Sequence, residues 1–259
     1  MDLNYHLKDS IPALIIADLN DHTSTVAARN VIQSIRRTKS KLVPIVHPAT
    51  IPETLKQDLE SFGLSKNDWT YPTRAGQSKI DIKTGLHLTG YNAKNIDKVI
   101  SCTVSHMRCW YFSMIANTPV CVLEHDALFT KQFKPIRENT FGDLDLKRLG
   151  IIGLNDPRGA TRKSQVYLEK TMSAPRTESL SLEYVEAPYV DDNQDAPQGL
   201  AGNSAYIVSP QAAKKLLDKV NEIGLWPNDA LMCKQFFPYL KQAYPFYTRL
   251  QGVQSTTQG

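Results

Sequence analysis

Near its start the chain of 259 residues twice passes from a short apolar run into a stretch with helical spacing. Residues 13–19, ALIIADL, read as a β-strand, and from Thr25 to Arg37 the apolar residues Val26, Ala27, Val31, Ile32 and Ile35 recur at helical intervals. KLVPIV, 41–46, is a second strand, and Pro44 predicts that it lies near an edge or makes few ladder bonds there, since proline has no N–H to give a ladder. Pro52 then opens a helix through Leu55, Leu59 and Phe62, with Gly63 as its stop. Strand, helix, strand, helix requires crossover connections, so the expected fold class is α/β with a central, mainly parallel sheet flanked by helices.

The rest of the chain alternates less regularly. Residues 65–97 are polar and predict a long surface loop, and a helix is predicted from near Ser101 with Val104, Met107, Cys109, Trp110, Met114 and Ile115 on its apolar side. VCVLEHDALF follows as a strand, and LGIIGLN, 149–155, as another, closed by the turn Asp156-Pro157-Arg158-Gly159. From Pro157 to Gln198 no period is visible; basic residues come first and acidic residues second, which reads as solvated loop or as a basic acceptor-binding flap beside an acidic rim. GLAGNSAYIVS, 199–209, leads through a strand into the Pro210 helix that Gly224 ends, and a short helix from about Asn228 precedes an irregular aromatic tail.

Within CVLEHDALF, 121–129, a buried strand ends in three consecutive ionisable residues. In open α/β sheets ligands bind at the carboxyl ends of strands. If the segment stays extended, alternation sends Glu124 and Asp126 to one side and His125 to the other. Two carboxylates suit a hard divalent cation, Mn2+ or Mg2+, which takes oxygen ligands and leaves positions for substrate phosphates.

Residues 101–129, SCTVSHMRCWYFSMIANTPVCVLEHDALF, resemble the signature of glycosyltransferase family 25, a group that includes lipooligosaccharide and collagen galactosyltransferases. The matching positions are Cys102, Ser105, His106, Trp110, Glu124, Asp126, Ala127 and Phe129. GLAGNSAYIVSPQAAKKLL, 199–217, Pro227-Asn228-Asp229, Gln251 and Ser255 continue the likeness. Three departures stand out: His125 replaces a carboxylate, Ser101 replaces a glycine, and an arginine-rich continuation after the first strand is absent.

The resemblance implies a GT-A-like single domain over residues 1–259, with a nucleotide-sugar half at 1–130 and an acceptor half at 131–259. It implies transfer of a sugar from a UDP-sugar to an acceptor hydroxyl, with inversion, on a glycan or lipopolysaccharide. Asp126 and Glu124 are then the candidate metal ligands, and Asp18, Asn20, Ser105, His106, Glu124 and His125 the candidate donor contacts. Arg158, Arg162, Lys163, Asn203 and Tyr206 are the candidate acceptor contacts. Asp229 is the candidate general base, or else a first-turn helix cap. Asp18 and Asn20 have helix capping as their alternative role, and His106 that of a hydrogen-bonded core histidine.

Composition narrows the field without choosing an acceptor. A net charge of +4 permits phosphate-bearing partners, so a phage-type DNA glycosyltransferase modifying hydroxymethylated cytosine bases is a second reading. A non-catalytic nucleotide- or carbohydrate-binding module is a third, with His125 as a sign of decay. Four cysteines without C-x-x-C spacing read as reduced core thiols, and the absence of a signal-like start or a transmembrane segment predicts a cytoplasmic protein, of the cell or of a virus-infected host.

Overall fold

The computed structural model describes residues 10–91, 93–134, 150–158, 163–179 and 182–252. Its first unit is strand β1 (Ile11–Ala17), helix α1 (His22–Arg37) and strand β2 (Leu42–Pro48). Helix α2 (Leu55–Ser61), the hairpin β3 (Ser78–Ile80) and β4 (His87–Thr89), and helix α3 (Ile96–Ile115) follow. Strands β5 (Val120–Glu124), β6 (Ala127–Phe129) and β7 (Ile151–Gly153) precede helix α4 (Ser164–Ser173) and the hairpin β8 (Thr177–Ser179) and β9 (Leu182–Glu186). The chain closes with β10 (Ala205–Val208), α5 (Pro210–Ile223), α6 (Asn228–Leu231), β11 (Lys241–Ala243) and β12 (Thr248–Leu250).

Eight strands form one sheet in the order β2-β1-β5-β10-β7-β11-β9-β8. β2, β1 and β5 are parallel, β10 runs against both β5 and β7, and β7 and β11 are again parallel. Most strands therefore share one direction, and β10 and β9 oppose it. The α/β, mainly parallel sheet expected from the sequence is what is found, and β2, with Pro44, lies at its edge as expected. The carboxyl ends of β1, β2, β5, β7 and β11 all emerge along one edge.

Alternation along the central strands supplies both cores. Leu14, Ile16, Val120, Val122, Tyr206 and Val208 face α3 and α5, whereas Ala13, Ile15, Cys121, Leu123, Ala205 and Ile207 pack toward α1. α1 is capped by the Asp21 carboxylate, which accepts from Ser24 N at 2.6 Å, so the helix starts before the expected Thr25. α3 starts at Ile96 rather than near Ser101, because the Asn95 side chain accepts from Asp97 N and begins the helix inside the polar stretch. α5 has Ser209 as cap and Pro210 in its first turn. Gly224, at φ +95, ends it where a Cβ would meet Asp68 O at 2.6 Å.

The expected loop at 65–97 holds the β3–β4 hairpin, and the aperiodic stretch after Pro157 holds α4 and the β8–β9 hairpin. There the charge reversal is partly folded back on itself: Lys163 pairs with Asp191 and Arg176 with Glu183. The tail expected to be irregular contributes β11 to the main sheet and β12 to a two-stranded ribbon with β6. All four cysteines are free thiols. Among the described residues no helix is long and apolar enough to cross a membrane.

Candidate functional site

A cleft of about 430 Å³ opens at the carboxyl ends of β1, β2 and β5. Its walls are the β1 exit and α1 start (Asp18, Asp21, Ser24), the β2 exit (Thr50, Ile51), α3 (Lys98, Cys102, His106), and Glu124, His125 and Asp126 after β5. The last three do not divide between two faces as expected. His125 and Asp126 form a turn between β5 and β6, and leaving the extended conformation puts all three on the cleft wall. Gln251 fixes this turn, since its backbone N–H donates to Asp126 O at 2.9 Å and its amide donates to His125 O at 2.9 Å and Ala27 O at 3.0 Å.

Burial sets the electrostatics. The carboxyl of Asp126 is pushed up to about 7, first by burial and then by the neighbouring charge of Glu124. Its Oδ1 is buried with no hydrogen-bond partner. Glu124 is also pushed up by burial, but the hydrogen bond and charge of His106 and the charge of His125 outweigh this and hold its pKa below the ordinary value. His125 is lowered by burial against the pull of Glu124, Asp21 and Asp18, so at neutral pH the wall carries a neutral imidazole in the turn.

Behind Glu124 lies a buried relay. Trp110 Nε1 donates to Tyr206 Oη at 2.8 Å, Tyr206 Oη lies 2.8 Å from His106 Nδ1, and His106 Nε2 faces Glu124 Oε1 at 3.4 Å. Indole N–H is only a donor, so Tyr206 accepts from Trp110 and has one proton of its own to place. Donated to Nδ1 of a neutral His106, that proton leaves the ring proton on Nε2, directed at Glu124. His106 is thus a core histidine by burial, 1% exposed, and a cleft residue by the direction of its Nε2.

Cys102, His106 and Glu124 bring a sulfur, a ring nitrogen and a carboxylate oxygen within 4.8 Å of one another. The Cys102 thiol is pushed well up by burial and by Glu124 and Asp229, so it stays protonated. The thiol donates instead to Asn228 Oδ1 at 3.8 Å, and the unpartnered oxygen that fits a cation is on Asp126.

Other candidate positions fall elsewhere. Tyr206, a candidate acceptor contact, is fully buried with its hydroxyl committed to the relay, because β10 is a central strand; it does not reach the cleft. Ser105 lines the cleft, but its hydroxyl accepts from Thr50 N at 2.9 Å and donates to Ser101 O at 2.8 Å, tying β2 to α3. Asp18 lines the cleft, whereas Asn20 is exposed outside the lining, and the helix cap is neither of them but Asp21. Arg158 is bound by Asp156 and lies away from this cleft, Lys163 is bound by Asp191, and Arg162 lies outside the described residues.

Asp229 sits in the first turn of α6. Its Oδ1 accepts from Tyr91 Oη at 2.6 Å and from Ala230 N at 2.9 Å, and Asn203, with its amide oriented to satisfy both neighbours, accepts from Asp229 N at 3.3 Å. Burial raises the Asp229 pKa despite the bonds from Tyr91 and the Ala230 amide. Sequence reasoning missed Asp21, Ser24 and Lys98. Asp21 and Ser24 look like an ordinary helix cap, and Lys98 falls between the expected loop at 65–97 and the helix expected from near Ser101.

Replacing Tyr206 by Phe removes one oxygen and leaves Trp110 Nε1–H and His106 Nδ1 buried without partners. A loss of about 1–3 kcal/mol in denaturant unfolding is expected, which is the cost of an unsatisfied buried polar group. The ¹⁵N shifts of His106 should report the Nε2–H tautomer in the native protein and a mixture in Tyr206→Phe.

The sequence matches Glycosyltransferase family 25 (LPS biosynthesis protein) over residues 60–232, more than half of its length, and the chain belongs to that family. No curated protein sequence matches it. Among solved structures it is similar to the crystal structure of mouse xyloside xylosyltransferase 1 in its apo form, at 12% identity and a TM-score of 0.43, covering 89% of this chain and 83% of that one.

Proposed function

We propose that the chain transfers a sugar from a UDP-sugar to a hydroxyl of a glycan or lipopolysaccharide acceptor, with the donor in the carboxyl-edge cleft and a Mn2+ or Mg2+ ion held by Asp126 and Glu124. The observation that carries the reading is the charge balance of the cleft. Asp18, Asp21, Glu124 and Asp126 line it against a single cationic side chain among the lining residues, Lys98. A diphosphate entering alone would meet mostly carboxylates. A divalent cation reverses that balance and suits the unpartnered Asp126 Oδ1. When bound, such an ion neutralises charge developing on the leaving diphosphate.

The protein's own groups have distinct tasks. His106, aimed by Tyr206 and Trp110, keeps Glu124 ionised and oriented. His125, neutral and fixed through Gln251, offers hydrogen bonding to the ribose where relatives have a carboxylate. Lys98 meets the far phosphate. Asp229, with its raised pKa, takes the proton of the attacking acceptor hydroxyl, and Tyr91 fixes its Oδ1. All residues lining the cleft fall between 16 and 126, which supports a donor half at 1–130.

A thermal-shift screen tests the donor class, because a ligand of the native state raises stability with the logarithm of its saturation. UDP-sugars with Mn2+ are expected to raise Tm, and UDP-sugars without metal to raise it much less. Stabilisation by other nucleotide sugars but not by UDP-sugars would contradict the donor assignment. The DNA-modifying and non-catalytic readings have no observation of their own in the cleft.

A further inference from the structure

The carboxyl edge of the sheet carries a second cleft, of about 440 Å³, at the ends of β7 and β11. It is separate from the donor cleft in its residues, all of which lie between Thr130 and Arg249. Between the two stands the β6–β12 ribbon, paired Thr248↔Phe129 to Leu250↔Ala127. Asp126 ends the ribbon on the donor side and Thr130 on the other, a separation of roughly 10–14 Å for an extended segment of that length. One floor therefore supports two adjacent clefts.

The lining has a consistent chemistry. Tyr244 and Phe246, with ring centroids 5.2 Å apart and planes at 79°, face Leu168 and Met172 of α4. Met172 is 54% exposed. Two guanidinium groups, Arg158 and Arg249, rim this apolar floor. Arg158 is held flat by the Asp156 carboxylate, which accepts from its Nε at 2.9 Å. Arg249 is exposed with no acidic partner among the described residues. Thr248 is 1% exposed, and its hydroxyl has no hydrogen-bond partner.

Apolar and aromatic faces beside planar hydrogen-bonding groups match the two sides of a pyranose ring, and an unpaired arginine adds preference for an anionic substituent. We propose that this second cleft is an acceptor subsite for an anionic oligosaccharide, one bearing carboxylate or phosphate groups, which it holds one or more sugar units from the hydroxyl being glycosylated. This rests on the proposed function, since the acceptor must run from here along the ribbon to the donor cleft. The separation requires an oligomeric acceptor. A double-stranded DNA acceptor fits less well, because the cleft presents apolar side chains and a carboxylate, Asp156, in place of a continuous basic track.

The test uses the full chain carrying ¹³C-methyl methionine, with the Met172 resonance assigned by Met172→Leu and a deacylated, phosphorylated lipopolysaccharide oligosaccharide as the probe. The Met172 methyl signal is expected to shift on titration. Phe246→Ala and Arg249→Glu should each weaken the interaction at least tenfold, while the Tm increment from UDP-sugar and Mn2+ stays at its native value. Dephosphorylating the probe should weaken binding in the native protein and make no further difference in Arg249→Glu.

An unshifted Met172 signal, or equal affinity in native and variant proteins, overturns the subsite whether or not UDP-sugars bind. A shift produced instead by a hydroxymethylcytosine oligonucleotide, steeply weakened by salt, overturns the saccharide assignment. If the Met172 shift is retained and no UDP-sugar binds, the proposed donor reading fails while this cleft stands as a saccharide site.

Discussion

Asp229→Asn is expected to lower sugar transfer by about 10²–10⁴-fold, the usual contribution of a general base, with donor affinity unchanged. Asparagine keeps an oxygen that accepts from Tyr91 and from the Ala230 amide, so the first turn of α6 should survive and unfolding should move little. What the substitution removes is proton affinity. Burial already raises the pKa of Asp229, and Tyr91 and a backbone amide restrain that rise by donating to the same oxygen. Tyr91→Phe removes one restraint and should shift the acidic limb of the kcat/KM profile to higher pH. Near-native transfer in Asp229→Asn would remove this residue from the chemistry.

Asp126→Asn should abolish metal-dependent turnover and yet make the metal-free protein more stable at alkaline pH. The native carboxyl titrates near 7, well above its ordinary 3.8. Below about 4 it is protonated in both folded and unfolded chains, and its effect on stability is constant. Between about 4 and 7 the unfolded chain releases the proton while the folded chain keeps it, so the folded state loses stability as pH rises. Above about 7 the loss levels off. Thermal melts without metal should show this decline in the native protein and a flatter profile in the variant. Added Mn2+ should restore stability at alkaline pH only where Asp126 is present.

Strands β1, β2, β5, β7 and β10 were legible because each is an apolar run bounded by turn residues, and α1, α3 and α5 because their apolar residues keep helical spacing. The cleft at the carboxyl ends of β1, β2 and β5 followed from β5, whose sequence places ionisable residues where a parallel strand must end. β8, β11 and β12 were not legible: each is three residues long, and β11 and β12 exist because distant partners, β7 and β6, supply their ladders. α4 has a weak apolar stripe, with only Tyr167 and Thr171 buried, so its period is hidden.

Within the site, residue types were more legible than residue directions. His106 and Glu124 were visible as chemistry, but the link from His106 to Tyr206 spans 100 positions and depends on β10 lying antiparallel beside β5. The same placement turns Tyr206 from an acceptor contact into a buried support. The basic segment after Pro157 looked like an acceptor flap because its acidic partners come later in the chain, where Asp191 and Glu183 pair with Lys163 and Arg176. The turn at His125 and Asp126 was hidden too, since its clamp, Gln251, lies 126 positions beyond His125.

The proposed function places a UDP-sugar in the acidic cleft, held through a divalent ion on Asp126. Release of UDP from UDP-glucose and UDP-galactose, followed with and without Mn2+ in the native protein and in Asp126→Asn, tests it most directly. Release by the native protein that depends on Mn2+ and vanishes in the variant is the expected result. Equal release by native and variant proteins, or release indifferent to metal, would contradict it.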